Sequence, residues 1–333
     1  VELVGRWTYY PAQYDSKPLR DAVRAELERE PVSAALLFTG SEFLAEELDG
    51  FPPTVADRVD CMTLIGWREL WRTRGLRKAM TRLHDLSLML RYERRVASAP
   101  FATVVVGEDD RACLERLVGS SGVSVIPNGV DVGPDPGIQA ESSRPTVVFS
   151  GVMDYLPNVD AAEFFATRVW PLVRTKRPDA LFRIVGRRPA PEVEALGRLE
   201  GVEVAGAVPD MGEVLAKAWV AVAPLRIGSG VRNKVLEAWA AGTPVVLTTM
   251  ATNGLPGTAR FRNLIQDSPR DMAAAVLRLL DRSGERALLG RAAYQEACRQ
   301  SWGVVGAQVH GLLMDAMLER VGQGAVPDTE VRH

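Results

Sequence analysis

Histidine and cysteine are both scarce, with three of each among the 333 residues. Cys61, Cys113 and Cys298 lie far apart in the sequence, and no C-x-x-C pair occurs. Such spacing builds neither a disulfide framework nor a zinc site, and it points to a reducing compartment. No G-x-S-x-G accompanies a histidine, which excludes a nucleophile–base pair of the hydrolase kind. No apolar run approaches the roughly 18 residues of a membrane-spanning helix, and nothing at the N-terminus reads as a signal peptide. Neither sign of charge dominates. Lys and Arg number 40 and Asp and Glu 42, for a net charge of −2, which argues against a nucleic-acid binder and its strongly basic surface.

What is present is a globular composition, 47% apolar and 25% charged, long enough for two domains and a sizeable core. The first residue is Val1, and VELVG reads as a strand already in progress, so the chain is expected to begin inside a domain. Short apolar runs alternate with helical periodicity, the pattern of α/β units with parallel sheets. In the first half, strands are expected at Glu2–Val4, Ala34–Phe38, Thr103–Val106 and Val123–Ile126. Helices are expected near Leu19–Arg29, Ser41–Leu48, Leu83–Ala97 and Glu108–Leu117. Residues 132–145 are rich in proline and glycine and read as a linker.

The second half restarts the alternation. Its strands are expected at Val147–Ser150, Leu181–Val185, Glu203–Ala205, Val220–Ala223 and Val245–Thr248. Helices fit near Val159–Arg168, Pro191–Leu199, Met211–Lys217, Val231–Ala241 and Pro269–Asp281, with two longer ones after them. The domain plan is therefore 1–131, a linker at 132–145, a doubly wound sheet at 146–300, a return helix at 301–321 and a disordered tail at 322–333. Doubly wound sheets bind ligands beyond the carboxyl ends of their strands.

The informative segment is APLRIGSGVRNKVLEAWAAGTPVV, Ala223 to Val246. A buried strand runs into a loop with Gly228 and Gly230, and a helix then runs to a glycine stop at Gly242. Unpaired N–H groups and the helix dipole make its start an anion cradle, and the glycines admit a ligand close to the backbone. Arg232 and Lys234 place positive charge at a helix end that prefers acidic residues, a local violation of the kind that marks function. Glu237 follows Gly230 by seven residues, roughly 10 Å along a helix, the span from a diphosphate to a ribose. Lys234 and Glu237 share a face. Taken alone, they fit an exposed ion pair on an ordinary amphipathic helix equally well.

Read whole, this segment resembles the donor-site motif of the family 4 retaining glycosyltransferases of GT-B fold. The nearest likeness is to the sugar transferases associated with bacterial exopolysaccharide and exosortase systems. SVIPNGVD (Ser124 to Asp131), FSGVMDYLPNVDA (Phe149 to Ala161), FRIVGRRP, VAGAVPDM and ATNGLPG follow in the family's order, over roughly residues 55–320. The resemblance implies two Rossmann-like domains facing across a cleft. It implies transfer of a sugar, with retention, from a nucleotide-diphosphate sugar to a glycan or lipid-linked acceptor hydroxyl, with no cofactor and no metal. The donor contacts it implies are Gly151, Arg226, Gly228, Ser229, Gly230, Val231, Arg232, Lys234 and Glu237. Lys234 and Arg232 would neutralise the leaving diphosphate, and Glu237 would hold the ribose.

Two positions depart from the wider family. Ser229 stands where the first glutamate of E-x7-E would fall, and the loop Gly151 to Asn158 carries neither Arg nor Lys. The exopolysaccharide subgroup shares both departures. The family also begins with a Gly-containing strand and loop that has no counterpart before Val1, so the first domain is expected to be incomplete. A non-catalytic sugar-nucleotide or glycan-binding remnant is the alternative. An epimerase of the same fold is disfavoured because residues 146–300 hold no histidine.

Other residues carry open readings. Asp57 and Asp60 resemble the subgroup's acidic segment at the cleft, or form a polar loop. His84 is a lone helical histidine, more often structural than a base. Arg187 and Arg188 could touch ligand or solvent. The basic stretch Trp67 to Arg82, with two tryptophans, could rest on an anionic membrane surface or form a solvated helix. Trp302 and the last helix are expected to brace the first domain, as in the fold family. The expected location is cytoplasmic, with peripheral contact at the inner membrane face.

Overall fold

The computed structural model describes residues 17–30, 32–38, 40–48, 50–73, 75–97, 100–119, 122–135, 142–227 and 233–324. The expected strand Glu2–Val4 and residues 325–333 of the expected tail lie outside them, while residues 322–324, expected to open that tail, continue the last helix. The chain divides into two compact units, Val1–Ile126 with Gly306–His333, and Pro127–Val305.

The first unit holds a parallel sheet of order β1–β2–β3–β4: Ala35–Phe38, Thr54–Val59, Ala102–Val105 and Val123–Val125. Its helices are α1 (Lys17–Arg29), α2 (Phe43–Glu47), α3 (Met62–Arg72), α4 (Leu76–Arg95) and α5 (Glu108–Cys113). A π-helical turn, Leu114–Val118, extends α5 to Gly119. Strand β2 has no counterpart among the expected strands. Its sequence, TVADRV, reads as a polar loop because Asp57 and Arg58 interrupt the apolar run. Yet β2 pairs on both sides, with β1 and β3. Arg58 is buried, donates to the Val96 carbonyl at 3.1 Å and faces buried Glu42 at 3.6 Å. Burial of an arginine is tolerated only with such partners. The sequence also leaves Cys61 and Cys113 unrelated. In the fold, 52 residues apart, their Sγ atoms lie 3.0 Å from each other in the core.

The second unit is a five-stranded parallel sheet of order β7–β6–β5–β8–β9. The strands are β5 (Thr146–Ser150), β6 (Leu181–Val185), β7 (Val202–Gly206), β8 (Val220–Ala223) and β9 (Val245–Leu247). The chain builds outward from β5 through β6 to β7, then returns to place β8 on the other side of β5. That reversal puts a topological switch point between β5 and β8, where such sheets open a crevice.

Its helices are α6 (Leu156–Phe164), α7 (Trp170–Arg174), α8 (Pro191–Leu196), α9 (Met211–Ala216), α10 (Asn233–Ala240), α11 (Pro269–Asp281) and α12 (Ser283–Cys298), and α13 (Trp302–Gly324) starts in this unit and from Gly306 is counted with the first. A π turn, Phe165–Val169, joins α6 to α7. It carries Phe165 into a cluster with Trp170 and Phe182, with ring centroids 4.6 Å (Phe165–Phe182) and 5.6 Å (Trp170–Phe182) apart. All three are essentially fully buried, and each contributes on the order of 2–3 kcal/mol by burial. The α/β class with parallel sheets is the one the alternation of apolar runs implies.

Gly129 explains part of the SVIPNGVD segment. A side chain there would meet the Trp302 ring at 2.6 Å, so only glycine fits beneath the indole. Val130 bridges to Ser301, and its N–H donates to the Gln300 carbonyl at 2.8 Å.

Candidate functional site

At the switch point of the second unit, the carboxyl ends of β5 and β6 carry Gly151 and Gly186. A Cβ at Gly186 would lie 1.6 Å from the Gly151 carbonyl oxygen, so the two tips touch backbone to backbone. Above them opens a cavity of about 490 Å³, lined by Gly151, Tyr155, Asn158, Arg187, Val208, Leu225, Lys234 and Glu237, among others. Its volume suits a small organic ligand.

Helix α10 forms one wall. Its inner face, Val235, Leu236, Ala238 and Trp239, is buried, and Trp239 stacks near Phe261 with centroids 4.9 Å apart. The helix stops at Gly242, whose left-handed φ of 71° is the expected cap geometry. That anchoring turns Lys234 and Glu237 toward the cavity. Lys234 Nζ donates to Asn158 Oδ1 at 2.6 Å and sits 4.4 Å from the Phe149 ring centroid. Glu237 remains solvent-reachable, but the cavity walls crowd it. Desolvation lifts its carboxyl above the ordinary value, with Lys234 pulling the other way. The same carboxylate, with Met211 and Asn233, also borders a second cavity of about 580 Å³ that reaches Gly129, Asp131 and Trp302.

The segment Gly228, Ser229, Gly230, Val231 and Arg232 lies outside the described residues, so the glycine cradle itself has no described geometry. Arg226, just before it, is engaged. It forms a two-point pair with Asp160 (3.0 and 2.5 Å) and lies over Phe164 at 4.6 Å. Arg187 lines the cavity and makes no ion pair among the described residues, whereas Arg188 pairs with Asp154 at 2.8 Å. Asn128 donates to Asn233 at 3.2 Å, tying the N-G segment to the start of α10.

The remaining candidates fall in the first unit. Asp57 and Asp60 stand at the end of β2, where the Val59 N–H donates to Asp57 Oδ1 and desolvation raises the Asp57 carboxyl. His84 is exposed on α4. Among the described residues no group of three His, Cys, Asp or Glu could hold a metal ion, and no helix is long and apolar enough to cross a membrane.

The fold around this cavity has relatives. Residues 144–282 match the sequence model of the glycosyl transferases group 1 family. The matched segment takes in all five strands of the second unit, Lys234 and Glu237. No curated protein sequence matches the chain significantly. Solved GT-B glycosyltransferase structures share the fold. They include a mutant Staphylococcus aureus TarM in complex with fondaparinux, alpha-GlcNAc-glycerol and UDP, at 14% identity, 87% coverage of this chain and TM-score 0.61. Sucrose-phosphate synthase from Thermosynechococcus elongatus gives 16%, 90% and 0.64. Anabaena HepE in complex with UDP and glucose gives 13%, 89% and 0.60. The chain spans 57% of the TarM chain, 78% of the synthase and 81% of HepE. At these identities the likeness is one of fold.

Sequence reasoning missed Asn158 and Asp160, the partners of Lys234 and Arg226. Both lie in the quoted FSGVMDYLPNVDA stretch, but nothing in their spacing to residues 66 to 76 positions later signals contact.

Proposed function

We propose that the chain is a glycosyltransferase that takes a nucleoside-diphosphate sugar in the cavity of its second unit. The observation that carries this reading is the pairing of Lys234 and Glu237 on one face of α10 at the switch point, inside the matched segment. In this reading the ammonium of Lys234 binds the diphosphate, and Gly228, Ser229, Gly230, Val231 and Arg232 are assigned to the same end of the donor on their sequence alone. Gly151 lets the donor approach closely, and Glu237 accepts from the ribose hydroxyls. Arg226 borders the phosphate end in its pair with Asp160. As the glycosidic bond breaks, charge builds on the departing diphosphate, and fixed cations lower that barrier. The transfer retains the anomeric configuration, uses no metal, and delivers the sugar to a glycan or lipid-linked acceptor hydroxyl in exopolysaccharide or cell-surface glycan synthesis.

The same reading places the protein in the cytoplasm with a peripheral membrane contact. Trp67, Trp71, Leu76, Met80 and Leu83 are exposed on α3 and α4, at 51%, 75%, 80%, 65% and 56%. Arg77 and Lys78 sit among them. Exposed apolar side chains interspersed with cations suit an anionic lipid surface.

Calorimetric titration with UDP, GDP and ADP tests the site. At least one is expected to bind, and Lys234→Ala and Glu237→Ala are each expected to weaken it about tenfold or more, the worth of a charged hydrogen bond. Unchanged affinity in both folded variants refutes the assignment. Release of nucleoside diphosphate from the sugar nucleotide separates a transferase from a binding remnant.

A further inference from the structure

Asn158 is a buried polar side chain on the wall of the nucleotide cavity, 7% exposed. It stands in the first turn of α6, where its N–H donates to the Tyr155 carbonyl at 2.8 Å. Its side-chain amide is fixed at both ends. Nδ2 donates to the Val152 carbonyl at 2.9 Å, which settles the orientation of the amide and turns Oδ1 toward Lys234. Oδ1 then accepts from Lys234 Nζ at 2.6 Å. The Phe149 ring lies on another side of the same ammonium. Gly151 leaves the space in which this happens, since a Cβ there would come within 2.7 Å of Asn158 Nδ2 and 3.0 Å of Lys234 Nζ.

A lysine has a long flexible stem and a rotamer entropy of roughly 2 kcal/mol. Left alone at a cavity edge, such a side chain meets an incoming anion only after paying to be ordered. Here Asn158 holds it beforehand, through an acceptor with no charge of its own. A carboxylate in that place would bind the ammonium more strongly and would also repel a diphosphate. A neutral amide fixes the cation without adding a negative charge of its own beside it.

We infer that Asn158 is a positioning residue, holding Lys234 toward the diphosphate through a neutral hydrogen bond. Asp160, two residues further along α6, pairs with Arg226 through a carboxylate, a charged contact unlike the neutral one at Asn158. The inference rests on the nucleotide reading of the cavity.

The test is a double-mutant cycle on the full chain with Asn158→Ala, Lys234→Gln and the combined variant. Each is titrated with the tightest-binding of UDP, GDP and ADP and with the matching monophosphate, and its fold is checked by circular dichroism. Asn158→Ala is expected to weaken the diphosphate roughly tenfold to a hundredfold, as loss of a charge-assisted hydrogen bond implies. The monophosphate should weaken far less. In the Lys234→Gln background the same substitution should change affinity less than about twofold, because the partner is already gone. A merely structural role would weaken both ligands and act equally in both backgrounds, and that result overturns the inference. So does wild-type-like diphosphate affinity in Asn158→Ala while Lys234→Gln is impaired. A wild-type chain that binds none of the three diphosphates overturns the nucleotide reading itself, and this inference with it. If Asn158→Ala does not fold, Asn158→Ser, polar but too short to reach Nζ, takes its place with the same outcomes.

Discussion

Adding a single methyl group at Gly186 is the sharpest probe of how the cavity is built. A Cβ there would stand 1.6 Å from the Gly151 carbonyl oxygen and 2.8 Å from its carbon. Ordinary contact is about 3.5 Å, so the tips of β5 and β6 must part by about 2 Å. The obstacle is backbone, with no flexible side chain to swing aside. Parting the tips also threatens the hydrogen bonds from Gly151 N–H to the Val185 carbonyl (3.1 Å) and from Gly186 N–H to the Gly206 carbonyl (2.7 Å). Overpacking costs about 1–3 kcal/mol and a lost backbone bond about 1 kcal/mol more. Gly186→Ala is therefore expected to lose about 2–4 kcal/mol. Urea denaturation followed by circular dichroism reads that loss as a lower midpoint at unchanged slope. Because Gly151 and Gly186 line the cavity, nucleotide affinity should fall in the same variant. The control is Gly311→Ala in α13, where no atom lies within 4 Å of the new Cβ. There the same change should add about 0.5–1 kcal/mol by helix propensity alone. Wild-type stability and affinity in Gly186→Ala would refute the reasoning.

Two further outcomes test other parts of the chain. Burial lifts the Asp110 carboxyl to about 6, while the Cys61 N–H that donates to it at 2.9 Å pulls it down. Its folded value exceeds its unfolded one, so the folded state holds the proton more tightly between about pH 4 and 6, and stability falls as pH rises through that window. Asp110→Asn keeps the acceptor oxygen and lacks this slope. Its stability relative to wild type should rise by on the order of 1–3 kcal/mol from pH 4 to 7, and parallel pH curves would contradict this. For the membrane face, the chain should sediment with phosphatidylserine-containing vesicles and far less with phosphatidylcholine ones. Trp67→Ala with Trp71→Ala should cut that partition by at least about tenfold, since burying exposed indole is worth on the order of 2 kcal/mol, and equal sedimentation would remove the membrane reading.

Much of the second unit was legible because its central strands β5 and β8 carry apolar runs and are buried throughout. Leu181–Val185 and Val220–Ala223 fall where the apolar runs place them. Lys234 and Glu237 were legible because helical periodicity is local, and three residues along a helix is a fixed geometry. The first unit was harder to read. In β2 a buried Arg58–Glu42 pair disguises an interior strand, since the sequence shows the charge but not the partner that makes its burial tolerable. Asn158 and Asp160 were invisible as partners for a similar reason. Their contacts are made by the fold, and asparagine and aspartate near a proline read first as turn formers. The meeting of Cys61 and Cys113 belongs with these, because no spacing rule spans 52 residues.

The bridge between Val130 and Ser301 has a consequence for the whole second unit. The segments by which the chain enters and leaves it are hydrogen-bonded neighbours at a single bridge, beside an indole that tolerates only a glycine beneath it. The polypeptide between them is topologically a closed loop whose ends are already joined without a covalent link. A piece of this kind can be inserted, duplicated or carried on a different host chain with little strain at the join, because the host need only supply two adjacent attachment points. The second unit is in that sense a self-closed piece, and Gly129 with Trp302 forms its clasp.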